Sequence, residues 1–450
     1  MSAILFLLFF AFTLTASFFR PLVGVFSYTI FSVMAPQMSV WGEPSLPYIM
    51  LLAVATVIGF VFTKGPKFPP NTAAMVFMIA LFAWIAITTQ FAIFPDQAQK
   101  HLTLTSKMMM MTILMATLVN TRDRQHALVW VFMIAVGYHI AWAALTGVAS
   151  GGNGIVMGDF STQFKSSNPF SRVAILAVPM LYILYKTSAS HHIRLASLAG
   201  MLTSVMAVFV SGSRGGFLAL AVLAGFAWLK SDRKILTAVL FAAAGYAIMT
   251  FAPDNQLERI GQIRDFEEVS SAQQRFQVWG YGWEIAKQNP ITGGGFEVFR
   301  GNDFQKVHAA HSIYFELLGE HGFVGFGIFA LMIGAMFLNM LKVLKLTRGK
   351  PEWMWERTTA EAIIIALLAF LAGGVTINQA FWQPVYVIYA LAIALYARVR
   401  NELGEKAPKQ QKSSGVATAG ATAPAYGTES FDNGGFKAQR KMRRRRYTRS

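Results

Sequence analysis

Cationic or imidazole side chains stand at the edges of long apolar runs in four separate segments of the sequence. Arg172 lies in SSNPFSRVAIL, Arg214 in VSGSRGGFLAL, Arg275 in SAQQRFQVWGYGW and His311 in HAAHSIYFELLGEHG. Guanidinium groups donate paired hydrogen bonds that match phosphate oxygens. An imidazole, whose ordinary pKa lies near neutrality, can accept a proton from a hydroxyl group. The four side chains predict a transfer reaction in which arginines bind a diphosphate leaving group and His311 activates an acceptor hydroxyl.

Arg214 follows a glycine-containing turn between two apolar runs. Gly212, Gly215 and Gly216 allow a tight turn or the close approach of a ligand to the backbone. The start of the following helix favours an anion, and an ionisable residue at that depth indicates function. We predict that Arg214 is catalytic and that Ser213 and Gly215 contact the substrate. The alternative is an arginine whose side chain extends to the lipid headgroups.

The other candidates also have structural alternatives. Asn168 and Arg172 are predicted to bind substrate, although Asn168 could cap the helix that follows and Arg172 could lie at the membrane interface. Arg275 and His311 are predicted to be catalytic, although Arg275 could be a solvated loop charge and His311 a lone surface or capping histidine. Glu316 is predicted to contact the substrate. Both Glu316 and Glu320 could instead orient an imidazole or simply face other helices.

A metal site is the alternative for the two histidines of HAAH. His308 and His311 have the spacing of a metal-binding pair, but no nearby carboxylate stands out as a third ligand. The loop before them contains no DxD-like acidic pair. We therefore expect no metal, count His308 among the substrate-binding residues, and assign neutralisation of the leaving group to the arginines.

Long apolar runs are the elements that must position these residues. The 450 residues are 54% hydrophobic and 14% charged, and apolar runs of about 15–22 residues recur, whereas a bilayer span needs roughly 20. The runs are continuous rather than alternating, which favours helices over a β-barrel. The absence of cysteine excludes disulfides, Fe–S clusters and thiolate metal sites. We predict an all-α polytopic membrane protein with 12–13 transmembrane helices and one large structured extracytoplasmic loop.

The chain divides into five predicted parts. They are N-terminal membrane helices (1–165), membrane helices with the SGSRGG turn (166–251), a large periplasmic loop (252–311), C-terminal membrane helices (312–399) and a disordered basic cytoplasmic tail (400–450). The predicted spans are 3–18, 22–36, 46–63, 72–93, 102–119, 127–147, 171–185, 195–210, 214–229, 235–251, 322–341, 358–376 and 380–398. The first two meet at Arg20-Pro21 and could instead form a shallow hairpin. The apolar N-terminus without a basic flank is predicted to be a retained span.

Lysine and arginine predict the orientation. Alternate short connections are basic, which places them in the cytoplasm. By parity, the four candidate segments face outward, towards the periplasm or the cell exterior. Residues 398–450 hold 13 of the 39 lysines and arginines. This tail is polar and rich in small residues, so we expect it to be disordered against anionic lipid rather than bound to nucleic acid.

Loop 252–311 is too long for a simple connector. Ser270 to Lys287 is predicted to form an amphipathic helix, because Phe276, Trp279 and Trp283 recur at helical spacing. The helix should end at Asn289-Pro290, and the glycines at 293–295 should then break regular structure.

These segments resemble the O-antigen ligase/polymerase superfamily of bacterial inner-membrane glycosyltransferases, over roughly residues 165–395. The superfamily pattern is S-R-G, then Arg…W…P-x-x-G-x-G, then H-(N/S)-x-x-x-(E/Q)-x-x-x-E-x-G-x-x-G. The matching positions here are Ser213, Arg214 and Gly215; Arg275, Trp279 or Trp283, Pro290, Gly293 and Gly295; and His311, Ser312, Glu316, Glu320, Gly322 and Gly325. Ser312 replaces the commoner asparagine. The segment RPLVGVFSYTIFSVMAPQMSVWGEPSLPY looks like O-glycosylation ligases associated with the exosortase A system.

The resemblance implies a glycan ligase that uses no metal and no other cofactor. The donor would be an undecaprenyl-diphosphate-linked glycan and the acceptor a hydroxyl group on a protein or lipid. Arg214 and Arg275 would hold the diphosphate while His311 activates or orients the acceptor. A polymerase on the same lipid carrier remains the alternative within the family. A transporter of an anionic lipid-linked substrate is the alternative of another class, but transporters usually place charged groups near the bilayer midplane.

Overall fold

Helices account for the regular structure throughout the computed structural model. It describes residues 3–40, 46–149, 164, 167–211, 213–251, 267–301 and 309–404, and no strand occurs within these ranges. The helices are α1 (Ala3–Phe19), α2 (Pro21–Thr29), α3 (Tyr48–Phe62), α4 (Ala73–Thr89), α5 (Pro95–Leu118), α6 (Arg122–Ala149), α7 (Ser167–Thr187), α8 (His191–Ser211), α9 (Arg214–Lys230), α10 (Lys234–Phe251), α11 (Glu267–Gln288), α12 (Ile313–Leu346), α13 (Met354–Gly374) and α14 (Gln383–Gly404). A π-helical turn, Ile30–Met34, follows α2.

Five stretches of the described chain are long and apolar enough to cross a membrane. They are Arg122–Thr146, Asn168–Thr187, His191–Phe209, Ile313–Leu346 and Pro351–Gly374. Shorter apolar helices include α1, α3, α4 and the run from α2 through the π-helical turn. The predicted all-α polytopic membrane protein is therefore confirmed, whereas the number of 12–13 spans stays a prediction.

Local sequence explains where several helices begin and end. The Thr72 hydroxyl caps α4 by accepting a hydrogen bond from the Met75 N–H at 3.2 Å. Proline occupies the first position of α5, where its missing N–H costs nothing. This helix therefore starts at Pro95, seven residues before the predicted span at 102–119. At the other end of the chain, α14 continues to Gly404, so the predicted tail boundary at 400 was too early.

Helices α12 and α13 organise the packing around the candidate residues. Helix α12 packs against α4 and α11, and α13 packs against α7 and α9. The starts of α7, α9 and α12 and the end of α13 thereby meet at one end of the helical assembly, which we call the site end. At the other end, Arg398 of α14 forms a buried ion pair with Glu356 of α13 at 2.7 Å.

A kink interrupts α12 close to the site end. Gly322 has φ 67° and ψ −174°, which is not helical. Residues 289–295 hold this kink by hydrogen bonds: the N–H groups of Gly294 and Gly295 donate to the carbonyls of Gly319 and Glu320 at 2.8 and 2.9 Å, and that of Phe323 donates to residue 290 at 2.9 Å. We call residues 289–295 with 319–323 the glycine clasp. The predicted break at 293–295 is confirmed, and it is an ordered turn against α12.

Candidate active site

Helix α11 carries Arg275 and packs against α12. The predicted helix at 270–287 is confirmed, as is its end before Pro290. It buries Val278 and Ile285, which contact the Val298–Gly301 turn and the segment before α12. Phe276 and Trp283 of the predicted apolar row are instead 67% and 46% exposed. The buried positions of α11 therefore differ from the predicted row: they include Val278 and Ile285 rather than Phe276 and Trp283.

Trp279 links α11 to the segment that carries His311. Its indole Nε1–H donates to the carbonyl oxygen of Ala310 at 2.9 Å. Its ring stacks on that of Phe315, with centroids 5.1 Å apart and planes at 10°. The sequence left Trp279 and Trp283 as alternatives for the tryptophan of the motif, and these contacts favour Trp279.

Arg214, Arg275 and His311 come together at the site end. Each is partly buried. Burial and the positive charge of Arg214 lower the pKa of Arg275. Burial and the positive charge of Arg275 lower the pKa of His311 from its ordinary 6.5. The lowered pKa favours the neutral imidazole of His311, which can accept a proton.

The backbone at His311 is strained. Its φ is 48°, in the left-handed region that non-glycine residues rarely adopt. Such strain persists where surrounding contacts determine the conformation, and it clusters at functional sites. The hydrogen bond from Trp279 to Ala310 is one such contact, immediately before the histidine.

Ser213 and Gly215 have structural partners within the turn before α9. The Ser213 hydroxyl caps the helix by accepting from the Gly216 N–H at 3.2 Å. A Cβ on Gly215 would lie 2.2 Å from Oγ1 of Thr376, beyond the end of α13. Close packing against Thr376 therefore explains why position 215 is a glycine. Substrate contact by Ser213 and Gly215 stays a prediction.

Arg172 is buried between α7 and α13. Its guanidinium donates to Oε1 of Gln379 at 2.9 Å and to the carbonyl oxygen of Phe370 at 3.3 Å. It also lies over the rings of Phe370 and Trp382, 4.9 and 5.6 Å from their centroids. Asn168 lies in the first turn of α7 rather than before it, because this helix already begins at Ser167. Capping by Asn168 was therefore wrong, and substrate binding by either residue stays a prediction.

Glu316 and Glu320 bond to backbone groups of neighbouring segments. Oε2 of Glu316 accepts from the Ala380 N–H at 2.9 Å, between α13 and α14. Oε1 of Glu320 accepts from the Glu297 N–H at 3.0 Å. Both glutamates therefore face other elements, and Oε2 of Glu320 also lies 3.9 Å from Nε2 of the His321 imidazole. His308 lies outside the described residues, so its predicted role stays open.

Two polar pairs were not singled out from the sequence. Nδ1 of His321 lies 2.8 Å from the Thr88 hydroxyl, which ties α12 to α4. Nε2 of His101 lies 2.6 Å from Oε1 of Glu297. Hydrogen bonding with His101 is the largest effect on this carboxyl and lowers the pKa of Glu297 from its ordinary 4.5. The only sequence signal for either was an ionisable residue beside an apolar run.

The comparison with family models assigns the middle of the chain. Residues 199–330 match the Wzy_C model, described as O-Antigen ligase. Over these residues the chain is similar to the O-antigen ligase family. We call residues 199–330 the ligase segment. It contains Arg214, Arg275 and His311, the three predicted catalytic residues. The resemblance seen in the sequence is therefore confirmed at superfamily level, and the exosortase-associated subtype stays a prediction.

The N-terminal part of the chain matches a different model. Residues 1–189 match DUF5935, a family of unknown function. No curated protein matches the chain. Across the ranges that the structure describes, His, Asp and Glu side chains form no group of three or more that could hold a metal ion.

Proposed function

We propose that the protein is a glycan ligase that transfers an oligo- or polysaccharide from undecaprenyl diphosphate to an acceptor hydroxyl at the periplasmic face of the inner membrane. The observation that carries this proposal is the convergence of three separate segments, in which Arg275 lies within electrostatic range of both Arg214 and His311. Two fixed cations beside a neutral base are what displacement of a diphosphate by a hydroxyl requires.

The proposed reaction is a single displacement at the anomeric carbon of the donor glycan. The acceptor oxygen forms a bond to this carbon while the bond from carbon to the diphosphate oxygen breaks. The electron pair leaves with undecaprenyl diphosphate, whose charge Arg214 and Arg275 neutralise. The proton of the acceptor hydroxyl passes to the imidazole of His311. In this scheme the arginines supply the charge that a metal ion would otherwise provide.

The surrounding residues have positioning roles in this scheme. Trp279 fixes the backbone of Ala310 and so the placement of His311. Arg172 and Glu316 tie the segment between α13 and α14 to the site end, through Gln379 and through the Ala380 N–H.

Transfer by the reconstituted protein tests the proposal. Protein in liposomes is mixed with an undecaprenyl-diphosphate glycan and a candidate acceptor, with EDTA present throughout. Arg275→Ala and Arg214→Ala should each lower kcat about 10²–10³-fold, the usual loss when one donor to a developing charge is removed. His311→Ala should lower it about 10²–10⁴-fold. The kcat of Arg275→Lys should lie between those of the wild type and Arg275→Ala, because lysine keeps the charge but loses the paired hydrogen-bond geometry of arginine.

Lys287→Gln is the matched control, since this lysine lies on the same helix as Arg275 but is 52% exposed and pairs with Glu284. It should retain wild-type activity. Abolition of wild-type transfer by EDTA would refute neutralisation by arginines alone. Extension of the lipid-linked glycan without transfer to any acceptor would identify a polymerase. Full activity in His311→Ala would refute its role as the base.

A further inference from the structure

A cavity of about 510 Å³ lies among the N-terminal region (1–189), the segment 199–330 and the residues just before α14. Its walls include α2 and its π-helical turn, α5, the start of α12 and the segment before α14. The volume falls within the range of about 300–1,000 Å³ typical of small-molecule sites. Ala309 and Ala310 line the cavity and lead directly into His311. The cavity therefore borders the segment that carries the proposed base.

The lining combines three kinds of side chain that suit a sugar. Carboxylates accept hydrogen bonds from hydroxyl groups, amides both donate and accept, and aromatic rings pack against the apolar faces of a sugar ring. The carboxylates are Glu297, Glu316 and Glu320, the amides Asn378, Gln379 and Gln383, and the aromatic residues include Tyr28, Phe296 and Trp382. The lining also contains Lys107 and His101, and His101 pairs with Glu297 at 2.6 Å. This mixture of hydrogen-bonding groups and aromatic rings suits a hydroxyl-rich ligand.

Two of the lining residues carry buried donors that find no acceptor among the described residues. They are Nε1 of Trp382 and Nε2 of Gln383, on side chains only 5% and 8% exposed. The other amide atom of Gln383, Oε1, lies 3.4 Å from the Tyr28 hydroxyl that donates to it. A buried donor without a partner is costly and calls for an explanation. Oxygen atoms of a ligand in the cavity would satisfy both donors.

Non-glycine residues with positive φ lie in or next to the lining of the same cavity. Ala35 has φ 54° and Glu297 has φ 63°, and both line it. His311, with φ 48°, follows two further lining residues. Within the described ranges, these are the non-glycine residues with positive φ. Strain of this kind is retained where function requires a particular geometry.

We propose that this cavity binds a neutral, hydroxyl-rich sugar unit, and that the N-terminal region shapes the site for it. Trp382 and Gln383 donate to sugar oxygens, and the carboxylates accept from sugar hydroxyls. The role of the site in catalysis rests on the proposed glycan transfer, since the sugar would belong either to the acceptor or to the donor glycan. Binding itself requires no transfer.

Sugar binding by the full-length protein in nanodiscs tests the inference. The probes are methyl glycosides of glucose, galactose and N-acetylglucosamine, followed by saturation-transfer NMR. Trp382→Phe removes the unpartnered N–H and keeps an aromatic ring. It should weaken binding of the preferred glycoside about two- to tenfold, the factor carried by one neutral hydrogen bond.

Trp355→Phe is the matched control. Trp355 is 4% exposed, its Nε1 likewise has no acceptor among the described residues, and it lies at the start of α13, away from the site end. Its replacement should leave sugar binding unchanged. Absence of binding by the wild type, or equal binding by the two tryptophan variants, would overturn the inference.

The outcome separates this inference from the proposed function. Arg275→Ala should lose transfer yet bind the glycoside as the wild type does. Sugar binding by a wild type that transfers nothing would leave the inference standing while the ligase proposal fails. If transfer occurs, a KM of Trp382→Phe raised only for the acceptor identifies an acceptor sugar. A KM raised only for the lipid donor identifies the donor glycan.

Discussion

Gly322 is expected to be the glycine of α12 that tolerates substitution least. Its φ of 67° and ψ of −174° fall in a region that is essentially restricted to glycine. A Cβ there would lie 2.4 Å from the carbonyl oxygen of Ile291 and 2.8 Å from that of Pro290. Both atoms belong to the backbone of the glycine clasp, so they cannot move away as a flexible side chain could.

The cost of Gly322→Ala can be compared with that of Gly327→Ala on the same helix. The strained backbone contributes about 1–3 kcal/mol. Loss of the hydrogen bond from Phe323 to Pro290 contributes about 0.5–1.5 kcal/mol. Gly327 has no atom within 4 Å of an added Cβ, and alanine there should gain roughly 0.5–1 kcal/mol of helix stability. The two variants should therefore differ in unfolding free energy by about 2–5.5 kcal/mol.

The measurement is unfolding by SDS titration in mixed micelles, together with transfer activity in liposomes. Gly322→Ala should also lose activity, because the clasp joins the end of α11 to α12 and so helps to place Arg275 against His311. Gly327→Ala should keep both stability and activity. Equal unfolding free energies for the two variants would refute the conclusion that the kink depends on a glycine.

Three further outcomes follow from individual contacts. Trp279→Phe keeps the aromatic ring but loses the hydrogen bond to Ala310, so kcat should fall about two- to tenfold with KM unchanged in steady-state transfer assays. Glu356→Gln removes the buried carboxylate 2.7 Å from the guanidinium of Arg398 and leaves only the exposed Glu402 as a counter-charge among the described residues, so it should lower the unfolding free energy by about 1.5–3 kcal/mol in the same micelle titration. Since burial and a neighbouring guanidinium lower the pKa of His311, the neutral base persists into mild acid, and the acid limb of kcat/KM should lie below pH 6.5.

Each of these outcomes has a control or a contradicting result. Trp283→Phe, at a 46% exposed position on α11, should leave kcat unchanged. Glu352→Gln, at an exposed position before α13, should leave stability unchanged. An acid limb above pH 6.5 would contradict the assigned environment of His311, because a raised pKa would need a nearby negative charge to dominate.

The catalytic candidates were accessible from the sequence because charge beside an apolar run is rare. Arg214, Arg275 and His311 each stood out in this way, and the structure places them near one another. The helical class followed equally from continuous apolar runs. Both features involve residues that are neighbours in the sequence, so they can be recognised without knowing how the helices pack.

The partners of those residues could not be predicted, because they are distant in sequence. Arg172 donates to Gln379, and His101 pairs with Glu297. Nothing in the sequence near either residue specifies such a contact. The packed side of α11 was missed for the same reason: aromatic spacing suggested one row, but the shape of the opposing turn at 298–301 favours Val278 and Ile285.

The kink at Gly322 divides α12 into a short segment near His311 and a long apolar segment of 323–346. Transmembrane helices tilt when the hydrocarbon thickness of the lipid changes. The clasp fixes the kink, so a tilt of the long segment is transmitted to the short one instead of being absorbed between them. The distance from His311 to Arg214, which lies on a different helix, should then vary with lipid acyl-chain length. The composition of the bilayer thereby becomes a determinant of turnover.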